Sequence, residues 1–153
     1  MEVVLIPPAN SAPVHLPETR AVPVIRADFS DDGGWERLRD EICSPTTEGF
    51  AAAVEFVEDR SLVGLVGAAI AGCFPRAYPT RYRHPVLFVV DAVTVSLPEH
   101  PLLVVNLNEH DDTGSFRTLP RQVQAIENNL SIANMDVAEF ARSTGPDGVF
   151  RGF

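Results

Sequence analysis

Two phrases near the middle of the chain constrain its fold more than anything else. His84-Pro85-Val86-Leu87-Phe88-Val89-Val90-Asp91 and His100-Pro101-Leu102-Leu103-Val104-Val105-Asn106 are near-continuous apolar runs entered through a His-Pro pair. A strand with no polar alternation is one covered on both faces, so both runs predict central strands of a layered sheet. The link between them is about nine residues, whereas a parallel crossover needs about a dozen or more. The two strands are therefore expected to be antiparallel neighbours.

The flanking segments supply the other elements. Val22, Val24 and Ile25 predict a first strand ending at Arg26-Ala27-Asp28. Ser30 to Gly34 opens a helix whose apolar stripe is Trp35, Leu38 and Ile42, and Ser44-Pro45 closes it. Ala52–Val57 predicts a second strand, and Leu62–Phe74 a small-residue core helix weakened by Gly64, Gly67 and Gly72. Turn chemistry at Asp111-Asp112-Thr113-Gly114 makes Ser115–Leu119 the third strand of a meander. Pro120 starts a helix with Val123, Ile126 and Leu130 on one face, and Asn134 and Asp136 offer caps for a last short helix. The predicted order is β-α-β-α-β-β-β-α-α. That is an α+β fold, a mixed sheet with an antiparallel meander in its second half and helices packed on it.

Five of the 13 prolines fall between Pro7 and Pro23. Proline donates no backbone hydrogen bond and biases its predecessor to extended conformations. Residues 1–20 are thus expected to form an extended arm with little core of its own, and residues 21–153 a single domain.

Charge and residue counts exclude whole classes of chemistry. The formal net charge is −9, and the twelve arginines account for every one of the 12 basic residues, so the chain has no lysine. P-loop, Schiff-base and kinase-type phosphate lysines are all ruled out. A surface this acidic has no concentrated basic face for nucleic acid or for an anionic membrane. Cys43 and Cys73 are the only cysteines, without metal-ligand spacing. Val3-Val4-Leu5-Ile6 is too short for a signal core, and Leu62–Phe74 is too short to cross a bilayer. A cytoplasmic location is the expectation.

The candidate site residues are few. Asp28, Asp31 and Asp32 follow the first strand, and Asp91 ends the third; together they resemble an acidic pocket at a sheet edge that could hold a divalent metal. The competing reading of Asp31 and Asp32 is helix capping. His84 is the candidate acid or base, with Asp28 and Asp91 as its carboxylates. His84 and His100 should lie at opposite ends of an antiparallel pair, which disfavours a shared metal site. No nucleophile motif or phosphate-binding glycine loop is present. Asn128 and Asn129 are weighed as ligand contacts against a role in the turn between two helices. Phe150, Arg151 and Phe153 either pack as an edge strand or meet a partner, being residue types enriched at interfaces.

Four phrases carry a resemblance: Arg26 to Asp32 with Trp35, His84 to Asp91, Glu127 to Asp136, and Gly148 to Phe153. They resemble an uncharacterised domain-of-unknown-function family of actinobacteria, over roughly residues 16–153. The resemblance implies relatives and assigns no activity. The reading that follows is a small acidic module that binds a protein partner without catalysis of its own, in the manner of an immunity or inhibitor protein. No cofactor is predicted, and a homo-oligomer is left open. The alternative is a small-molecule binder or enzyme using an acidic, metal-holding pocket at the sheet edge.

Overall fold

A computed structural model describes residues 14–77 and 81–153. Its sheet has six strands: β1 (Val22–Arg26), β2 (Val54–Glu58), β3 (Val86–Val90), β4 (Leu102–Asn106), β5 (Phe116–Thr118) and β6 (Val149–Phe150). They lie in the order β2-β1-β3-β4-β5-β6. β1 is parallel to β2 and to β3, β3–β4 and β4–β5 are antiparallel, and β5–β6 is parallel. The sheet is mixed, the fold is α+β, and the two apolar runs are antiparallel neighbours at its centre.

Alternation along each strand assigns its side chains to two cores. Val22, Val24, Val86, Phe88, Val90, Leu102 and Val104 face one side. There they meet α1 (Asp32–Cys43) through Trp35, Leu38 and Ile42, α4 (Val123–Ser131) through Val123, Ile126 and Leu130, and α5 (Val137–Ala141) through Val137 and Phe140. Ile25, Leu87, Val89 and Val105 face the other side, against Leu62, Ile70, Ala71 and Cys73. β3 is fully buried because it supplies both cores at once.

Two differences from the sequence-based expectation have physical causes. The segment 62–74 is not one helix: a 3-10 turn (Arg60–Leu62) and a loop precede α2, which is only Gly67–Ala71. Gly64 turns the chain at φ +83°, and a Cβ on Gly67 would lie 2.7 Å from Val105 Cγ2. The chain thus approaches the sheet too closely for a longer helix with ordinary side chains. A helix also interrupts the β3–β4 link, α3 (Ala92–Ser96), nucleated by a capping box between Asp91 and Thr94. The last phrase follows its edge-strand reading in part: Val149 and Phe150 form β6 beside β5.

Of the expected arm, residues 1–13 lie outside the described residues. Residues 14–19 have no helix or strand, but Leu16 is buried in the second core and its N–H donates to the Cys73 carbonyl at 2.8 Å. The expectation of little core contribution does not hold for Leu16.

The tight seat of Gly67 gives the first test. Gly67→Ala is expected to destabilise by about 1–3 kcal/mol, because a stiff, buried Val105 must yield to the new methyl. Urea unfolding should show a lower midpoint with an unchanged slope.

Candidate functional site

The carboxyl ends of β1 and β3 are where an open sheet with parallel strands usually places its ligand. The chain leaves β1 for β2 on one side and returns to β3 on the other, a topological switch point. A cleft opens there between Asp28, Asp31, Trp35, Thr94 and His100. Its interior holds only about 20 Å³, room for about one water.

The groups around it are already engaged. Asp28 accepts from the Ser30 N–H at 2.9 Å and from the Ser30 hydroxyl. Asp31 caps α1, accepting from the Gly34 N–H at 2.9 Å. His100 sits in the left-handed region at φ +51°, and its Nδ1 lies 3.0 Å from the Thr94 carbonyl. A carbonyl only accepts, so Nδ1 carries the proton in this contact. The Trp35 indole N–H is the buried side-chain donor without a partner among the described residues.

Arg26 anchors the floor of this end. Its side chain is buried, donating to Asp32 at 2.6 Å, to Glu58 at 3.1 Å and to the Asp28 carbonyl at 3.2 Å. Its guanidinium also lies over the Phe29 ring, 4.4 Å from the centroid. Asp32 is therefore a partner of this arginine, and the acidic run after β1 resolves into caps and an ion pair.

Asp91 stands apart from that cleft's lining. Its two oxygens meet the Arg117 guanidinium side by side, at 2.9 and 2.8 Å, and it caps α3 through the Thr94 N–H at 3.1 Å. Burial would push this carboxyl up, but the Arg117 hydrogen bonds and the Thr94 N–H outweigh it and hold it below the usual carboxylate range. Asp91 is structural in this geometry. Among the described residues, no three His, Cys, Asp or Glu side chains gather in a way that could hold a metal ion.

The structure does not bring His84 to Asp28 or Asp91. His84 precedes β3 and Asp91 follows it, so five strand residues at about 3.3 Å each separate them. His84 instead contacts Thr19, with Nε2 3.0 Å from its carbonyl and 3.1 Å from its hydroxyl. His84 and His100 do lie at opposite ends of the β3–β4 pair. Asn129 ties the end of α4 to the turn that follows it: its amide N–H donates to the Ala125 carbonyl at 2.8 Å and its amide oxygen accepts from Asn134 at 2.9 Å. Asn128 is exposed.

The three tail candidates have three different situations. Phe150 is fully buried and packs edge-on against Phe140, with ring centroids 5.2 Å apart. Arg151 is bound to Glu99 at 2.8 Å and Asp147 at 2.7 Å. Phe153 is 80% exposed, although its ring lies 5.1 Å from that of Phe150. Only Phe153 presents an aromatic face to solvent.

The more extensive apolar surface comes from the segment expected to be core. Val63, Leu65 and Val66 are 53%, 37% and 71% exposed, in one loop. The apolar character of 62–74 was the available signal, but alone it cannot tell a buried helix from a displayed loop.

A family model described as Domain of unknown function (DUF6924) matches residues 21–153. The chain belongs to the DUF6924 family. The matched span runs from the residue before β1 through β6 and so takes in all six strands of the sheet. No curated protein and no solved structure matches the chain. Within this DUF6924 domain, no described helix is long and apolar enough to cross a membrane.

Proposed function

We propose that this protein is a non-catalytic interaction module that docks a basic protein partner, in the cytoplasm, through the loop Val63-Gly64-Leu65-Val66. The carrying observation is three large apolar side chains displayed together on a fixed backbone. Leu62 is fully buried and anchors the loop from below. The Leu65 N–H donates to the Leu62 carbonyl at 3.1 Å, and the Ile70 N–H to the Val66 carbonyl at 3.0 Å. Isolated exposed apolar residues need no explanation, whereas a contiguous group suits a partner surface. A rigid loop also loses little entropy on docking. The net charge of −9 would speed encounter with a cationic partner and favour it over acidic ones. An immunity- or inhibitor-like role fits this combination.

The test is native mass spectrometry of full-length protein isolated gently from its own host, comparing wild type, Val66→Asp and Ile132→Asp. Ile132 is 64% exposed and lies outside the loop. A stoichiometric protein partner should accompany the wild type and the Ile132 variant. Val66→Asp should weaken the complex at least about tenfold, the loss of one well-placed apolar contact. A partner held equally by Val66→Asp would overturn the loop's role. A homodimer broken by Val66→Asp would make the loop a self-interface instead.

A further inference from the structure

At the other end of the sheet, the starts of β1 and β3 border a second cleft, of about 310 Å³, whose polar lining is Arg20, Arg83, His84, Glu127 and Ser131. That volume is at the lower end of small-molecule sites, about 300–1,000 Å³. Glu127 is the decisive residue. It is 7% exposed and the one buried acid among the described residues. No cation pairs with it among those residues. Its carboxyl accepts a hydroxyl from Ser131 at 3.5 Å, the outer limit of a hydrogen bond. A buried carboxylate held this weakly is costly, and a cation would relieve it. Burial accordingly pushes the Glu127 carboxyl up, and its polar neighbours do not reverse the shift.

The same cleft carries a matching opposite charge. Arg83 pairs with Glu18 at 2.5 Å. The Arg20 backbone N–H bonds Glu55 at 3.1 Å, but its guanidinium has no carboxylate partner among the described residues. One cleft thus holds an acid without a cation and, at its exposed rim, a cation without an acid. His84, fixed by Thr19, forms part of the wall between β1 and β3. We propose that this cleft binds an amino-acid-sized zwitterion, with the ligand ammonium on Glu127 and the ligand carboxylate on Arg20. Guanidinium–carboxylate pairing is directional and often bidentate, which would orient such a ligand. This site is independent of the partner-docking loop, which shares no residue with it.

Isothermal titration calorimetry on the full-length protein tests it, using the free proteinogenic L-amino acids, their methyl esters and their N-acetyl derivatives. At least one free amino acid should bind saturably, one per chain. Blocking either its carboxylate or its amine should weaken binding at least tenfold, and Glu127→Gln and Arg20→Ala should each do the same. Arg20 is exposed, so Arg20→Ala decides the matter even if Glu127→Gln fails to fold. The proposal is overturned if no free amino acid binds up to millimolar concentration. It is equally overturned if the N-acetyl forms bind as tightly as the free ones, or if Arg20→Ala binds like the wild type.

Discussion

Replacing Asp91 by alanine should lower the stability of the full chain by about 3 kcal/mol at neutral pH, combining a lost helix cap with a lost charge-assisted pair. Asp91 is the N-cap of α3 and the bidentate partner of Arg117, whose guanidinium would keep only the Pro101 carbonyl at 3.1 Å. Asp91→Asn separates the two roles: asparagine caps as well as aspartate, so it should lose only the pairing share. The pH dependence carries a definite sign. The Asp91 carboxyl is held below its ordinary value in the folded state. Its contribution is therefore fully present above the unfolded-state value of about 3.9 and is lost as pH falls through the lower folded value. The gap between wild type and Asp91→Ala should stay constant from neutral pH to about 5 and narrow below about 4. Urea titrations across that range check it. A gap that does not narrow would mean the Arg117 pair contributes nothing.

A still larger loss is expected from Phe140→Ala, about 4 kcal/mol for a fully buried aromatic removed from a packed core. Phe140 is inaccessible to solvent, and its ring lies 5.2 Å from that of Phe150 and 5.5 Å from that of Phe153. Removing it leaves a cavity beneath β6, whose two residues pair with Arg117 and Thr118 of β5. Phe153→Ser, at the exposed end of the same trio, should cost less than about 1 kcal/mol. Comparable losses in the two variants would show that the exposed ring, not the buried one, secures the last strand.

The sheet's centre was legible because burial on both faces leaves its mark directly in sequence. Val86–Val90 could hardly be anything else, and the short link to Leu102 dictated its antiparallel neighbour. The helix stripes Trp35-Leu38-Ile42 and Val123-Ile126-Leu130 were equally plain, since one buried face at helical spacing is a local property. α3 was missed, although Asp91 and Thr94 stand three apart as a capping pair; its β-branched Val93, Thr94 and Val95 argue against a helix. The error over 62–74 came from a long-range contact, Gly67 against Val105, that no window of sequence contains. The same holds for function. His84 was singled out and Glu127 was passed over for its neighbours Asn128 and Asn129, because the cleft that His84 and Glu127 share depends on the starts of two strands and the flank of α4. Asp28 and Asp91 read as a pair because both end strands, yet Arg117, from a third strand, is what decides the role of Asp91.

The position of β2 at the sheet's margin has a consequence for how the protein behaves in a crowded solution. One side of β2 is hydrogen-bonded to β1, and the other has no neighbouring strand among the described residues. The stretch from Phe50 through Val57 is apolar apart from Glu55, the composition from which stacked intermolecular strands grow. Glu55 is exposed on this strand and acts as a gatekeeper: a second molecule adding in register to the margin would bring like charges together, whereas Glu58 is already paired with Arg26. Removing this charge by substitution would take the protection away while the backbone edge stays open. The exposed Glu55 carboxylate on the marginal strand therefore guards against fibrillar self-association, a role distinct from holding the fold together.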